Sequence, residues 1–525
     1  MKCLPHRLIM TGDPTKKEEA LPTGWALDKM GNVLPISYGK GLVEKVRDHG
    51  GAVPVYGSSG LVGTHSQPLT NGPTLIIGRK GSVGVTHYSP VPCWPIDTTY
   101  FVEATEHTNL RFFAYLLSAL NLGRMDRSTA VPGLSRTDYD SLNAAVPPLP
   151  EQCRIVAEIE KQFTRLDAAV EALKRIRANL KRYRASVLKA ACEGRLVPTE
   201  AELARAEGRD YEPADVLLQR ILKERREDWV AAELASMQAN GTLPSDDKWK
   251  TRYKNPVDAF ANSMPPVPEG WCLASLEQLT SAVRVICYGI LMPKENVADG
   301  VPYVKVKDIK GDRIQVEALH RTSKKIAAAY ARASLKPGDL LLAIRGTYGR
   351  VAEVPPELDG GNITQDTARL DVSRHADQRF VALHLRGPDS QTYFKRVARG
   401  VAVKGVNIGD VKPAPILFPP QVEQHRIIAE AERRLSVIEG LEALVAANLK
   451  RAERLRQSIL KRAFEGKLVP QDPNDEPASV LLERIRAERI AKASSAISGQ
   501  GNKVNRERSH RRRAGKKDAD EKKAL

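Results

Sequence analysis

Two glycine-rich turns carry the side chains best suited to chemistry in this chain. The first is Arg79-Lys80-Gly81-Ser82-Val83-Gly84, and the second is Ile344-Arg345-Gly346-Thr347-Tyr348-Gly349, which Arg350 follows. Arginine can form two parallel hydrogen bonds to guanine in the major groove of DNA, whereas lysine, serine, threonine and backbone amides mostly bind phosphates. The turns therefore predict contacts with nucleic acid.

The candidate DNA contacts share a basic or hydrogen-bonding side chain and a place in the two glycine- and strand-rich parts of the chain. They are Tyr56, Arg79, Lys80, Ser82, Lys305, Lys307, Arg345, Thr347, Arg350, Lys404 and Asn407. For any single residue of this set, a role as a solvated surface residue or a turn former explains its type and position at least as well as a DNA contact does. We therefore predict a DNA-binding surface that contains these residues, rather than a DNA contact by each of them.

Familiar catalytic motifs are missing from the sequence. No Gly-x-x-x-x-Gly-Lys-Ser/Thr phosphate loop occurs, and Phe418-Pro419-Pro420 lacks both ends of the Asn/Asp-Pro-Pro-Tyr/Phe methyltransferase motif. The ten histidines form no HxxxH or HExxH pair, and the six cysteines form no Cys-x-x-Cys pair. We therefore expect a protein that is not an enzyme and that binds neither a metal nor a cofactor itself.

Composition and charge restrict the class of partner. The chain has 525 residues, a net charge of +18 and a pI near 9.5, which favours a polyanionic partner because bound cations release the counterions of phosphates. Nine of the cations lie in the tail between Arg506 and Lys523, yet the remainder is still strongly basic. Neither a signal peptide nor a membrane-length apolar run occurs, so we expect a cytoplasmic protein without a membrane partner.

Repeated segments show that the chain contains two similar halves, each with one of the turns. Three segments of the first half return in the second half in the same order. The pairs are 151–158 and 423–430, 186–198 and 458–470, and 212–221 and 476–485. The first two pairs are both offset by 272 residues, which is far longer than the ~20–50 residues of a solenoid unit. The sequence therefore predicts a duplicated half-molecule.

The repeated segments have the apolar spacing of long helices. In the first copy the apolar positions step by four and three residues with one break: Ile159, Phe163, Leu166, Val170, Leu173, Ile176, Leu180, Tyr183 and Val187. This spacing is typical of a coiled-coil seam. Gly194 and Gly466 follow where a left-handed helix cap is expected. A single copy would suit an ordinary helical hairpin, but two copies of equal length between two globular regions favour a spacer.

The globular regions diverge more than the helices but keep landmarks. Pro22-x-Gly24-Trp25 matches Pro268-x-Gly270-Trp271, and Asp97-Thr98 is expected to match Asp366-Thr367. Each region ends in Pro-Pro, with Glu-Gln shortly after. The predicted order is a globular region over 1–147, a helical region over 148–235, a linker over 236–265, a globular region over 266–418, a helical region over 419–492 and a basic, disordered tail over 493–525.

This duplicated order resembles the specificity subunit of type I restriction–modification systems. Further likenesses are the closing segments Ala130-Val131-Pro132-Gly133-Leu134 and Ala402-Val403-Lys404-Gly405-Val406-Asn407. The resemblance implies an α+β fold in which two mixed α/β target-recognition domains are separated by two long helices, packed as an antiparallel coiled coil with pseudo-twofold internal duplication. It also implies that each domain reads one part of a split sequence in double-stranded DNA.

The same resemblance implies partners for the helices. They would dock DNA-methyltransferase (modification) subunits, and a restriction/translocase subunit would join the complex. S-adenosylmethionine and ATP with Mg²⁺ are then expected on those partner subunits. The helix residues predicted to bind subunits are Leu166, Leu173, Leu180, Ile438, Leu455 and Ile459. The segment 222–262 and the basic tail have no counterpart in the duplicated plan.

Two other functions remain open on the residues alone. A coiled-coil structural adaptor with an incidental basic surface is one, and a stand-alone enzyme acting on nucleic acid is the other. Salt-sensitive binding to one preferred split sequence distinguishes a DNA reader from an adaptor. Assays of the purified protein with metal ions or S-adenosylmethionine would reveal an enzyme.

Overall fold

The computed structural model describes residues 21–48, 50–125, 133–260, 265–401 and 403–491. Several predicted features lie outside these residues. They are the tail over 493–525, the start of the region predicted over 1–147, the segment Ala130-Val131-Pro132, and Ala402.

The described chain divides into two compact units. The first unit takes the residues up to Leu173 and those from Ala447 onward, and the second takes Lys174–Ala446. Each unit therefore combines one globular region with parts of both helical regions, because each long helix contributes to both units.

The first unit holds a four-stranded sheet, a three-stranded sheet and a two-stranded pair. Its strands are β1 (Ala26–Lys29), β2 (Ser37–Tyr38), β3 (Val53–Gly57), β4 (Gly60–His65), β5 (Thr74–Gly78), β6 (Thr86–Ser89), β7 (Trp94–Pro95), β8 (Thr99–Glu103) and β9 (Asn143–Val146). Its helices are α1 (Met30–Val33), α2 (Leu110–Leu120), α3 (Arg136–Ser141) and the first part of α4 (Leu149–Cys192). The sheet orders are β2-β8-β5-β6, β4-β3-β7 and β1-β9.

The second unit has a four-stranded sheet, a three-stranded sheet and a two-stranded pair, as the first does, and an additional hairpin. After α5 (Glu200–Glu207) and α6 (Ala214–Ala239), its strands are β10 (Cys272–Ser275), β11 (Cys287–Tyr288), β12 (Val301–Val304), β13 (Ile309–Lys310), β14 (Arg313–Ile314), β15 (His320–Thr322), β16 (Leu340–Ala343), β17 (Val351–Glu353), β18 (Asn362–Ile363), β19 (Thr367–Leu370) and β20 (Pro415–Phe418). Its later helices are α7 (Lys324–Ala329), α8 (Gln378–Arg386), α9 (Pro388–Val397), α10 (Ile408–Val411) and the first part of α11 (Gln421–Phe464).

The strands pair in corresponding orders in the two units. The second unit has sheets β11-β19-β16-β17, β15-β12-β18 and β10-β20, together with the hairpin β13-β14. In each four-stranded sheet one strand is apolar and fully buried: Thr74–Gly78 in β5 and Leu340–Ala343 in β16. A strand buried on both faces needs a continuous apolar run rather than alternation, and both sequences supply one.

The long helices begin and end where their sequences predict. Pro147 and Pro148 precede α4, and Pro419 and Pro420 precede α11, which suits a helix entry because proline has no backbone N–H to donate. Gly194 and Gly466 have φ angles of +69° and +66°. The predicted left-handed caps are therefore confirmed.

One seven-residue row is buried or partly buried along each long helix. In α4 the row is Ile159, Leu166, Leu173, Leu180 and Val187; in α11 it is Ala431, Ile438, Val445, Ala452 and Ile459. The two rows correspond at the 272-residue offset. The predicted seam was wrong at Ile176 and Tyr183, which are 46% and 48% exposed. They form a neighbouring row that stays exposed.

The Pro-x-Gly-Trp motif is the junction between the globular region and the helices in each unit. In the first unit the Trp25 indole donates to Glu151 at the start of α4 (3.1 Å), and the Gly24 carbonyl accepts from the Ala478 amide (2.8 Å). A Cβ on the cap Gly466 would collide with the Pro22 ring. One short motif thus contacts the start of one long helix and the end of the other.

The second unit repeats this junction contact for contact. The Trp271 indole donates to Glu423 at the start of α11 (2.9 Å), and the Gly270 carbonyl accepts from the Ala214 amide (2.9 Å). A Cβ on the cap Gly194 would lie 2.9 Å from the Pro268 ring. The landmarks found in the sequence are therefore the residues that join globular and helical parts.

A buried histidine makes the stability of the second unit depend on pH. His384 in α8 is fully buried; its Nδ1 lies 3.1 Å from the Ser390 hydroxyl, and its Nε2 accepts from the Leu417 amide (3.1 Å). Burial lowers the pKa of His384 to about 4, from ~6.5 for an exposed histidine. The unfolded chain therefore binds the additional proton between these two pH values, and stability falls as the pH drops through this window.

We expect His384→Gln to be less stable than wild type at neutral pH but less sensitive to acid. The difference in free energy of unfolding between the two proteins should shrink by about 2 kcal/mol from pH 7.5 to pH 5. Urea titrations at the two pH values measure it. A difference that stays constant would contradict a neutral buried histidine.

Candidate nucleic-acid interface

The first predicted turn joins β5 to β6 in a tight hydrogen-bonded loop. The Gly84 amide donates to the Gly78 carbonyl (2.8 Å), and the Gly78 amide donates to the Val85 carbonyl (2.8 Å). Lys80 forms an isolated β-bridge with Gly133. Gly81 and Gly84 have φ angles of +79° and +73°, which other residues adopt only with strain. The glycines thus allow the loop, and the loop positions Lys80 and Ser82.

The second turn joins β16 to β17 with the same bonds. The Gly349 amide donates to the Ala343 carbonyl (2.8 Å), and the Ala343 amide donates to the Arg350 carbonyl (2.8 Å). Arg345 forms an isolated β-bridge with Gly405. Matching the bonds aligns Lys80 with Arg345 and Ser82 with Thr347. Arg79, in turn, corresponds to the apolar Ile344.

The hydrogen bonds correct one predicted correspondence by a single residue. The Arg79 and Lys80 amides donate to the Thr98 carbonyl, whereas the Ile344 and Arg345 amides donate to the Asp366 carbonyl. Thr98 therefore corresponds to Asp366, and the expected match of Asp97-Thr98 with Asp366-Thr367 was wrong. Both regions contain an Asp-Thr dipeptide by coincidence. The register is set by strand pairing, which sequence identity does not reveal.

The Arg79 side chain is hydrogen-bonded within the first unit. Its Nε and Nη2 atoms donate to the Asp97 carbonyl at 3.2 and 2.7 Å. Its guanidinium also lies 5.6 Å from the ring centre of Tyr38 and 5.9 Å from that of Tyr100. Burial raises the pKa of Tyr100 to about 12, so its hydroxyl stays protonated and donates to the Leu134 carbonyl (3.0 Å). Arg79 consequently braces the turn.

Six other candidates have exposed side chains without an internal partner. Within the described part of the chain, they form no side-chain hydrogen bond or ion pair. They are Lys80, Lys307, Arg345, Thr347, Lys404 and Asn407. Lys404 lies beside the second turn, because its carbonyl accepts from the Gly346 amide (3.2 Å). Arg345, Thr347 and Lys404 therefore form one group of available donors.

The side chains of the remaining candidates contact residues of their own unit or are partly buried. Arg350 donates to the Ile309 carbonyl (2.9 Å), and the Lys305 ammonium lies 5.1 Å from the ring centre of Tyr303. Tyr56 is partly buried in β3 and stacks on His87 at 6.3 Å. Ser82 is partly buried. Arg350 has the exposed Val85 as its counterpart in the first unit.

Sequence reasoning missed one equivalent pair of aromatic residues. Tyr38 and Tyr288 pair with corresponding strand positions, are 53% and 36% exposed, and lie near an arginine: Arg79 at 5.6 Å and Arg332 at 5.5 Å. A repeated Tyr-Gly dipeptide at 38–39 and 288–289 was the signal in the sequence. It is a short signal, and only the sheet register makes it meaningful.

Neither a metal centre nor a membrane segment is found among the described residues. No group of three or more histidine, cysteine, aspartate or glutamate side chains there could hold a metal ion. In the same ranges no helix has the length and apolarity that a membrane crossing requires.

Comparison with known proteins finds similarity to one family. Residues 22–182 match the family model described as the type I restriction modification DNA specificity domain. The specificity subunit of the Escherichia coli type I restriction enzyme EcoBI is 28% identical over 439 residues, which are 81% of this chain and 81% of that protein. The chain is therefore similar to type I restriction–modification specificity subunits over about four fifths of its length.

Further similarities cover nearly the whole specificity subunit. The EcoDI specificity subunit of Escherichia coli is 22% identical over 496 residues, 91% of this chain and 98% of that protein. The fold is also similar to a chain solved in a study of complex assembly and conformational transition of the type I R-M system. That chain is 16% identical, with a TM-score of 0.57, and the match covers 86% of this chain and all of that one. The α+β fold agrees with this likeness.

Arg79→Ala should destabilise the protein more than Lys80→Ala. Loss of the two bonds to Asp97 and of the tyrosine contacts should lower the free energy of unfolding by about 1 kcal/mol, since the site is partly solvated. The Lys80 side chain forms no hydrogen bond or ion pair in the described structure, so its removal should change stability by less than about 0.5 kcal/mol. Urea unfolding of both variants tests this. Equal losses would mean that Arg79 does not brace the turn.

Proposed function

We propose that this specificity subunit reads a two-part sequence in double-stranded DNA and has no catalytic activity of its own. The globular region within 1–147 would read one half-site, and that over 266–418 the other. The observation that carries the proposal is the shared turn. Two corresponding backbone bonds close it in both units, yet it presents Lys80 and Ser82 in one and Arg345 and Thr347 in the other.

A turn with the same backbone but different side chains in the two units suits two domains that recognise different DNA sequences. Arg345 is exposed and has a free planar guanidinium, which suits bidentate bonding to guanine. Lys80, at the equivalent position, is a compact charge that suits a phosphate or a single acceptor. Tyr38 and Tyr288 add an exposed aromatic ring to the same sheet in each unit.

The two long helices would act as an antiparallel spacer within an internal duplication. In the first unit Arg154 pairs with Asp475 (2.6 Å), and Asp167 pairs with Arg456. In the second, Arg184 pairs with Glu439 at 3.6 Å. In the first unit the partner's number falls as that of the α4 residue rises, which supports an antiparallel pairing. The matching seven-residue rows support equal helix lengths.

The helices would also bind the partner subunits, as the names of the relatives suggest. We propose methyltransferase subunits and a restriction/translocase subunit as partners, with S-adenosylmethionine and ATP with Mg²⁺ bound there. Of the residues predicted to bind subunits, Leu180, Ile438 and Ile459 are buried, and Leu166 and Leu173 are partly buried. Leu455 is 49% exposed. Direct docking is therefore better assigned to exposed apolar residues such as Leu455, Ile176 and Tyr183.

Arg345→Ala should alter only the half-site read by residues 266–418. A lost bidentate base contact should cost about 1–3 kcal/mol and relax the preference at one position. Arg350→Ala is the matched control, since its guanidinium donates to the Ile309 carbonyl and should affect stability instead. Sequencing the methylated sites of the assembled enzyme measures both half-sites.

A change in both half-sites together would contradict independent reading. An even loss of affinity over all sequences, with a salt dependence smaller by about one, would make Arg345 a phosphate contact instead. No change at all would remove it from the interface.

Lengthening both long helices should lengthen the unread gap. Seven residues inserted after Asn179 and after its counterpart Arg451 would preserve the buried rows and add about 10 Å to each helix. Since base pairs are ~3.4 Å apart, we expect about three additional base pairs in the gap and unchanged half-sites. Inserting four residues at the same places is the control, because it moves the buried row out of register and should prevent assembly. A lengthened, assembled complex with the original gap would disprove the spacer.

A further inference from the structure

Two adjacent apolar residues of the second unit are exposed to solvent directly after a strand. Leu291 and Met292 follow β11 and are 51% and 74% exposed. Exposed apolar residues that adjoin one another can mark a binding surface when the fold holds them in a defined place. The pair, called the apolar tip, meets this condition.

Backbone contacts hold the residues immediately before and after the apolar tip. Before it, the Ile290 amide donates to the Ile363 carbonyl (2.7 Å), and the Ile290 carbonyl accepts from the Gln365 amide (3.0 Å). After it, the Thr322 hydroxyl donates to the Pro293 carbonyl (2.8 Å). The tip is therefore anchored at both of its ends.

The next residue along the chain has a conformation that costs energy. Lys294 has a φ angle of +58°, a left-handed value that residues other than glycine, asparagine and aspartate seldom adopt. Such conformations persist where surrounding contacts enforce them, and they concentrate at functional sites. Strained backbone beside exposed apolar side chains indicates a binding site.

The apolar tip lies at the same end of the sheet as the second turn. The Arg345 amide donates to the Asp366 carbonyl (3.3 Å), and the preceding residue, Gln365, donates to Ile290. Only the segment 364–366, which leads into β19, separates Arg345 from the tip. Neighbouring strands are ~4.8 Å apart, so the two backbone positions lie about 10 Å from each other.

The equivalent place in the first unit has different side chains. The Lys40 amide donates to the Pro95 carbonyl (3.0 Å), and this bond corresponds to the one that the Ile290 amide donates. The residues aligned with the apolar tip are therefore Gly41 and Leu42. Glycine has no side chain, and Leu42 is partly buried. The exposed pair at this position is thus a property of the second unit and not of the shared backbone arrangement.

We propose that the apolar tip contacts the methyl group of a thymine base in the major groove of DNA. The inference rests on the proposed function and identifies one base of the half-site that residues 266–418 would read. Thymine presents its methyl group in the major groove, where apolar side chains recognise it. Base pairs are ~3.4 Å apart along the duplex, so this thymine should lie within about three base pairs of the base that Arg345 contacts.

The position of Arg345 favours the major groove over other partners of an apolar surface. Leucine and methionine can also wedge between bases from the minor groove, but that groove is only ~6 Å wide. The major groove is ~12 Å wide and accommodates both the tip and an arginine about 10 Å away. A protein partner would need a larger apolar centre, whereas the tip shares its end of the sheet with the exposed Arg345, whose side chain forms no hydrogen bond or ion pair in the described structure.

The test combines a chemical change in the DNA with a change in the protein. Deoxyuridine replaces each thymine of the preferred sequence in turn, which removes only the methyl group and leaves the minor-groove edge unchanged. The tip variant is Leu291→Asn with Met292→Gln, which makes both side chains polar at similar size. The matched control is Val283→Thr with Val285→Thr, an exposed pair that precedes β11, whereas the tip follows it.

We expect the tip variant to lose discrimination between thymine and deoxyuridine. Affinity is measured for the full chain assembled with its methyltransferase subunits, and thermal melting confirms that each variant is folded. For the wild type and the valine control, one deoxyuridine in the half-site of residues 266–418 should weaken binding about fourfold, the effect of one lost buried methyl group. The tip variant should bind both duplexes equally. Deoxyuridine in the other half-site should affect all three proteins alike.

Three results would overturn the inference. If no deoxyuridine in that half-site weakens wild-type binding, or if the half-site contains no thymine, the tip contacts no methyl group; a wedge in the minor groove would give this result. A tip variant that still discriminates like wild type would assign the methyl contact to other side chains. A folded tip variant that no longer assembles with the methyltransferase would place the tip in a protein interface. Failure of the proposed function is a separate observation, because the wild-type complex would then show no preferred split sequence.

Discussion

The hydrogen bond between an indole and a buried carboxylate at each junction is the constraint on which the rest of the structure depends. Trp25 donates to Glu151, and Trp271 donates to Glu423. Both carboxyl groups are almost completely buried, and burial raises the pKa of Glu423 to about 7. A carboxylate without its donor at this depth would cost more than an ordinary lost hydrogen bond. Neither partner can therefore change alone, which fixes the first strand of each recognition region to the first turn of a long helix.

This constraint separates the parts of the chain that must stay alike from those that can differ. The Pro-x-Gly-Trp motif, the helix entry and the glycine cap contact one another in each unit, so all of them recur. The turn after the buried strand is held by backbone bonds and by glycines. Its side chains are consequently free to diverge, as Lys80 and Arg345 have. Two recognition surfaces can thus evolve on one frame without loss of the frame.

The sequence predicted the helix ends and the junction motif better than it predicted which side chains the two turns expose. Helix ends, caps and the junction motif depend on local rules for proline, glycine and apolar spacing, and the structure agrees with them at Gly194 and Gly466. The correspondence of Lys80 with Arg345 depends instead on which amide pairs with which carbonyl across strands. Nothing local in the sequence specifies that pairing, so the sequence alone could not show that the Arg79 side chain bonds to the Asp97 carbonyl. Ile176 and Tyr183 fit a seam by spacing, but only the packed neighbours decide which of two apolar rows is covered.

The central claim is that each unit reads its own half-site on a common frame. Exchange of residues 266–418 for the matching region of the EcoBI specificity subunit tests it most directly, because the exchange leaves Trp25, Glu151 and both long helices unchanged. Sequencing of the methylated sites of the assembled hybrid should show one original half-site, the original gap and one new half-site. A hybrid that assembles but changes both half-sites, or changes the gap, would contradict the account.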